Sequence, residues 1–118
     1  MLTVKVAKPA RKDIASALRH SENEFGLAAR ERYKALIDQA INDIAKDPAR
    51  PGVLSIVDIK EGYLLYHLRM SRRNVSGDRV GKPRHFFLFR LENADNLIIA
   101  RLLHDRMLLT QHVNQLPV

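Results

Sequence analysis

The residue types in this chain that could do chemistry are five histidines, His20, His67, His85, His104 and His112, and a basic set on the second half of the sequence. That set comprises Arg69, Arg84, Arg101, His104, Arg106 and His112, with Tyr63 and Tyr66 nearby. Clustered Arg and His suit stabilisation of a phosphorane-like charge and the shuttling of protons, which a metal-independent ribonuclease requires. The same groups also suit contact alone, because a strand Arg on an open sheet face is normally solvated. Other chemistries have no support. No two His form a helical ligand pair and HExxH is absent, so no metal is expected. The absence of Cys removes thiolate nucleophiles, disulfides and Cys-ligated clusters. Without GxSxG, GxxxxGK[ST] or GxGxxG, neither triad hydrolysis nor a nucleotide cofactor is expected. Asp58 and Glu61 lie at strand ends, where turn-forming and solvated roles account for them.

The formal charge of +7 comes from 20 basic and 13 acidic residues, and it is concentrated in one place. Between residues 60 and 84, Lys60, Arg69, Arg72, Arg73, Arg79, Lys82 and Arg84 outnumber Glu61 and Asp78, while Pro9 to Asp47 is neutral. Such a patch favours encounter with nucleic acid, an acidic protein or an anionic membrane. A solvated hairpin tip accounts for it equally well.

The elements that must position these groups are readable from periodicity. Leu2, Val4 and Val6 alternate as a short strand, and Pro9 opens an amphipathic helix carrying Ala10, Ile14, Ala17 and Leu18 that ends near Gly26. A second helix, with Tyr33, Leu36, Ile37, Ala40, Ile41, Ile44 and Ala45 on one face, runs through Lys46. Pro48 and Pro51-Gly52 stop it. Strands follow over 53–59 and from Gly62 to Met70, then a polar, flexible excursion over 71–84, and strands over 85–91 and 97–103 joined by a turn at 92–96. Residues 104–113 form a helical turn or an arm, and 114–118 fray. Helices first and strands after imply a two-layer α+β fold in one domain, 1–113: an N-terminal strand, a helical hairpin, and a mainly antiparallel sheet with one face partly open. Nothing in the sequence reads as a membrane span or an export signal, so a cytoplasmic location is expected.

Three stretches carry a family likeness: VAKPARKDIASALRH (6–20), GLAARERYKALIDQAINDIAKDP (26–48) and RHFFLFRLENADNLIIARLLHDRMLLTQHV (84–113). Together they resemble the RelE/ParE superfamily of type II toxin-antitoxin toxins, and its ParE branch more than its RelE branch. The resemblance implies a non-enzymatic toxin that binds DNA gyrase and traps it with cleaved DNA. It also implies neutralisation by a ParD-like antitoxin, with which the chain forms a hetero-oligomer. Target contacts are then expected from Arg72, Arg73, Arg84, Arg101, His104, Arg106 and Met107, and antitoxin contacts from Phe25, Leu27, Tyr33 and Leu36, some of which serve the core. The alternative is a RelE-like ribosome-dependent mRNA endonuclease using Arg69, Arg84, Arg101 and His104. RelE-type nucleases usually carry a Tyr near the C-terminus, whereas Tyr33, Tyr63 and Tyr66 all precede the last two strands here. The long basic excursion 71–84 is a second departure from the simplest members. Direct nucleic-acid binding, with Phe86, Phe87 and Phe89 as stacking groups, ranks third. Three aromatics in so short a strand cannot all face one side.

Overall fold

The alternating N-terminal residues form β1 (Thr3–Val6), and Pro9 in the first turn of α1 (Lys8–Phe25) occupies a position where a missing N–H costs nothing. Here, as throughout, the structure is a computed structural model, and it describes residues 1–107, 109–113 and 116. Gly26 separates α1 from α2 (Leu27–Lys46) with φ 93° and ψ 173°, a conformation open to glycine and strained for any side chain. Its N–H closes α1 on the Glu22 carbonyl, and its own carbonyl accepts the Arg30 N–H of α2. The β half consists of β2 (Val53–Ser55), β3 (Leu64–His67), β4 (His85–Leu91) and β5 (Asn96–His104), followed by a short α3 (Leu109–Val113).

The five strands form one sheet in the order β1-β5-β4-β3-β2. β1 runs parallel to β5 and every other pairing is antiparallel. The expected two-layer α+β architecture is therefore the one observed. Leu36, Ile37, Ala40 and Ile44 of α2 and Ala10, Ala17 and Leu18 of α1 pack on Tyr66, Phe87, Phe89, Leu97, Ile99 and Leu102 of the sheet. Burying each large side chain contributes about 1.5 to 3 kcal/mol, so this layer contact dominates the fold. The opposite sheet face carries Phe86, Leu88, Ala100 and Leu103, which pack with Ile56, Tyr63, Val113 and Leu116. The face expected to stay partly open is thus covered in its middle by the 56–63 turn and the C-terminal segment. Fraying was expected over 114–118. Leu116 is buried there, and the remaining four residues lie outside those described.

Two strands are shorter than their apolar pattern suggests. β2 stops at Ser55 because Ser55 Oγ accepts the Val57 N–H and the Ile56 carbonyl accepts from both Ile59 and Lys60, which bends 56–62 into turns. β3 stops at His67, and Leu68–Asn74 winds into a 3₁₀ segment. The reason is a polar network beneath it. Asp43 of α2 pairs with Arg50 at 2.8 Å and accepts from Gln39 at 2.9 Å and from Asn74 at 3.0 Å, with Ser71 as a further donor. Arg50 also donates to the Tyr66 hydroxyl at 2.7 Å, which leaves that hydroxyl's proton for Ser71 Oγ, 2.7 Å away. The 71–84 excursion, expected to be flexible, is tied down further by Arg72 donating to the Val80 carbonyl and Arg79 donating to the carbonyls of Val75 and Arg73.

Candidate functional site

One end of the β4/β5 hairpin gathers three of the chain's five histidines, His67, His85 and His104, with Tyr33 and Asp105, and a one-residue irregularity in the sheet brings His85 and His104 together. Continued in the register that pairs Leu91 with Leu97, the hairpin would set His85 opposite Leu103. A shift between Leu88 and Phe89 sets it opposite His104 instead, and the two imidazoles meet edge to face with centroids 5.2 Å apart. From the helical layer Tyr33 of α2 reaches the same point. Its hydroxyl accepts the Arg84 backbone N–H at 3.0 Å and donates to His85 Nδ1 at 2.6 Å.

These contacts fix the tautomers. With Nδ1 occupied as an acceptor, neutral His85 carries its proton on Nε2. His104 Nδ1 accepts the Arg106 N–H at 3.1 Å and His67 Nδ1 accepts the Arg69 N–H at 3.1 Å, so these rings are also Nε2–H donors when neutral. His67 directs its Nε2–H at Asp105 Oδ2, 3.4 Å away. Burial, and after it the neighbouring His104, lower the His85 pKa to about 4, so His85 is uncharged at neutral pH. Burial also raises Tyr33 to about 12, so it remains a hydroxyl donor, and burial lowers His67 despite the Asp105 hydrogen bond that favours its cation. Burial pushes Asp105 up, but its His67 hydrogen bond and the nearby His104 and Arg84 outweigh that and hold it below the usual carboxylate range.

His85 and His104 line a cleft of about 600 Å³ between the α1/α2 tip and the 80–85 and 104–106 segments. Ala17, Phe25, Ala29 and Val80 supply its apolar wall, and Arg32, Lys82, Arg84 and Arg106 its cationic one. A second cavity of about 450 Å³, lined by His67, Arg69, Arg72 and Asp105, shares Gly81, Lys82 and Arg84 with it. Among the described residues no three His, Asp or Glu groups come together as metal ligands. The arrangement can hold an anion, with His85 Nε2–H as a hydrogen-bond donor and Nδ1 already taken by Tyr33.

The residues singled out in the sequence fall into separate places. Arg84, His104 and Arg106 line the first cleft, and Met107 is exposed beside them. Arg69 and Arg72 line the second cavity, while Arg73 reaches solvent. Arg101 is held elsewhere, where β5 has a free edge beyond the end of β1. Asp13 of α1 takes Arg101 Nε at 2.7 Å and Nη2 at 3.1 Å, and the same carboxylate accepts the Leu102 N–H at 3.1 Å. Of the expected antitoxin contacts, Phe25 and Leu27 are 74% and 63% exposed at the hairpin tip, whereas Tyr33 and Leu36 are buried. Phe86, Phe87 and Phe89 are all buried, on both faces of the sheet, so none presents a stacking surface. Sequence reasoning did not place His85, Tyr33 or Asp105 in the site. The usable signal was the hairpin itself, whose turn at 92–96 brings positions near 85 and 104 together.

The family model described as the ParE toxin of type II toxin-antitoxin system, parDE, matches residues 4–109. The chain belongs to the ParE toxin family. No curated protein gives a significant match. The matched span runs from β1 to the start of α3 and so takes in both helices, the whole sheet and the cleft of this ParE-family chain. Membership in a two-component toxin-antitoxin family implies an antitoxin partner. Among the described residues no helix is long and apolar enough to cross a membrane.

Proposed function

We propose that this ParE-family chain arrests growth by binding DNA gyrase in the cytoplasm, and that a ParD-like antitoxin neutralises it. The observation that carries this reading is the continuous ParE family match over 4–109, which includes the strand, turn, strand and Arg101-x-x-His104 stretch. Acting by differential affinity, the toxin would favour the gyrase state in which DNA is cut and shift the population toward it. Solvent-facing Arg73, Arg106 and Met107, with Arg84 and His104 at the cleft, form the contact surface of this reading. Purified toxin at micromolar concentration should inhibit supercoiling and accumulate cleaved DNA. Unchanged supercoiling with no trapped cleavage rejects the reading.

A second reading, a ribosome-dependent mRNA endonuclease, draws on one observation: Arg84 and His104 share a cleft with an unprotonated His85. The Asp13 carboxylate engages Arg101, the third residue of that set, away from the cleft. Message cut in a translation extract, and left intact by His104→Ala, would place this reading first.

A further inference from the structure

We propose that the cleft between the α1/α2 tip and the β4/β5 end binds a free mononucleotide, its phosphate on the cationic wall and its base against Phe25 and the small apolar wall. The site shares Arg84, His104 and Arg106 with the contact surface proposed above, but its test needs neither gyrase nor an antitoxin, so the two readings can fail separately.

The charge arrangement comes first. Arg32, Lys82, Arg84 and Arg106 line the cleft together with His20, His85 and His104, and no Asp or Glu is among the described lining residues. None of those four cations has an ion-pair partner among the described residues. Elsewhere the chain uses its acids on its arginines: Asp13 on Arg101, Asp43 on Arg50, Glu22 on Arg30. Arg72 and Arg79 donate to carbonyls. Asp105, 3.5 Å from His104 and close to Arg84, offsets part of this charge, and the remaining surplus of Arg32, Lys82 and Arg106 around one concavity focuses a positive potential that an anion relieves. The neighbouring 450 Å³ cavity lacks this property, because Asp105 lines it and Arg72 is already engaged.

The donor chemistry comes second. His85 and His104, which both line the cleft, each have Nδ1 taken by an internal donor, so Nε2–H is the polar group each has left to offer a ligand. Two fixed N–H donors beside guanidinium forks match the several acceptor oxygens of a phosphate better than the two of a carboxylate. Tyr33 locks the His85 ring, which gives that side of the cleft a fixed geometry before any ligand arrives.

Size and the apolar wall select the rest of the ligand. A cleft of about 600 Å³ lies within the range of roughly 300–1,000 Å³ typical of small-molecule sites, and it is larger than a bare phosphate needs. Ala17 and Ala29, short side chains one helix apart, leave the space open, and Phe25, 74% exposed, lines it with an accessible ring. A planar base stacking on such a ring is worth about 1–3 kcal/mol in nucleic-acid complexes.

The test titrates the full-length chain at neutral pH and low salt with AMP, adenosine, inorganic phosphate and a 5′-phosphorylated oligonucleotide. Binding is followed by calorimetry and by the ring resonances of His85 and His104. AMP should give saturable shifts at both rings, with adenosine and inorganic phosphate each binding at least about tenfold more weakly, since each lacks one half of the contact. The double variant Lys82→Ala with Arg106→Ala should weaken AMP by about a hundredfold, and Ala29→Leu, which fills the apolar wall with a good helix former, should weaken it at unchanged circular dichroism. The proposal is overturned if AMP produces no saturable shift, if the double variant binds AMP as well as the parent, if phosphate alone binds as tightly as AMP, or if only the oligonucleotide binds.

Discussion

His85 makes the folding stability sensitive to mild acid, and the sign follows from its environment. Its pKa is about 4 in the folded chain against an ordinary 6.5, because burial and the neighbouring His104 disfavour the cation; Asp105 opposes this, and His20 and His67 add to it. Between those two pH values the unfolded chain binds a proton that the folded chain refuses. Stability is therefore full above about pH 6.5 and falls as pH drops toward 4, by at most about 3 kcal/mol from this group. The lowered His67 acts in the same direction. Urea midpoints at pH 7.5, 6 and 5 should fall in the parent and fall less in His85→Asn, which keeps an acceptor for the Tyr33 hydroxyl; equal slopes would remove His85 from this role. A second single-residue effect sits at Asp13, whose carboxylate satisfies both the Arg101 fork and the Leu102 N–H. Asp13→Ala leaves a part-buried guanidinium and a strand amide without partners, and it should cost about 2–4 kcal/mol in chemical denaturation. The composition showed that an Arg and His cluster was available. It did not show which members meet, because Arg101 is claimed by an acid 88 positions away and His85 by a Tyr 52 positions away.

At the scale of elements, hydrophobic period located both helices and the β4/β5 hairpin to within a residue or two, because each buries a continuous apolar stripe. It failed where a polar group decides the path. Leu64, Tyr66, Leu68 and Met70 continue a strand pattern, yet the chain turns at Leu68 because Ser71 and Asn74 are drawn to Asp43 on α2. The β4/β5 shift that aligns His85 with His104 is equally silent in the pattern, since both residues flank apolar runs in either register. Asp43→Ala tests the first point. Burial raises this carboxyl, and its hydrogen bonds from Ser71, Asn74 and Gln39 together with Arg50 overcome that, leaving it lowered. Loss of the carboxylate strands four donors around a buried spot, so the variant should lose about 3 kcal/mol. Amide exchange should accelerate over 68–74 while β4 and β5 stay protected; exchange rising uniformly would show that Asp43 supports the whole fold and not this segment. Gly52→Ala strains the same region from the other side, because φ is +98° and a Cβ there would stand 2.6 Å from the Met70 side chain.

Over the whole molecule, exposed large apolar side chains among the described residues include Phe25 and Leu27 at the helical tip and Leu54, Val57 and Ile59 along the β2 edge and its turn. Scattered exposed apolar residues are ordinary, but adjacent large ones on a rigid helical corner are the anchors a folding peptide uses. The family implies an antitoxin partner, and the proposed surface suits one that lays an acidic amphipathic segment on it, since the chain carries net charge +7. The proposed antitoxin surface can be separated from the core by exposure alone. Phe25 and Leu27 support no buried cluster, whereas Leu36, 1% exposed, sits in the middle of the helix-on-sheet core. Leu36→Glu places a carboxylate among Ile37, Phe87 and their neighbours and should prevent folding, so loss of antitoxin binding there carries no information. Phe25→Asp with Leu27→Asp removes two apolar anchors from solvent-facing positions and adds charge that repels an acidic partner. It should leave the circular dichroism spectrum and unfolding midpoint unchanged while weakening antitoxin binding by at least about a hundredfold, given about 1.5 to 3 kcal/mol for each buried apolar side chain. In cells the double variant should remain toxic and resist rescue by an antitoxin that protects against the parent. Full rescue with parental affinity would move the antitoxin to another face, for which the exposed β2 edge is the next surface to mutate.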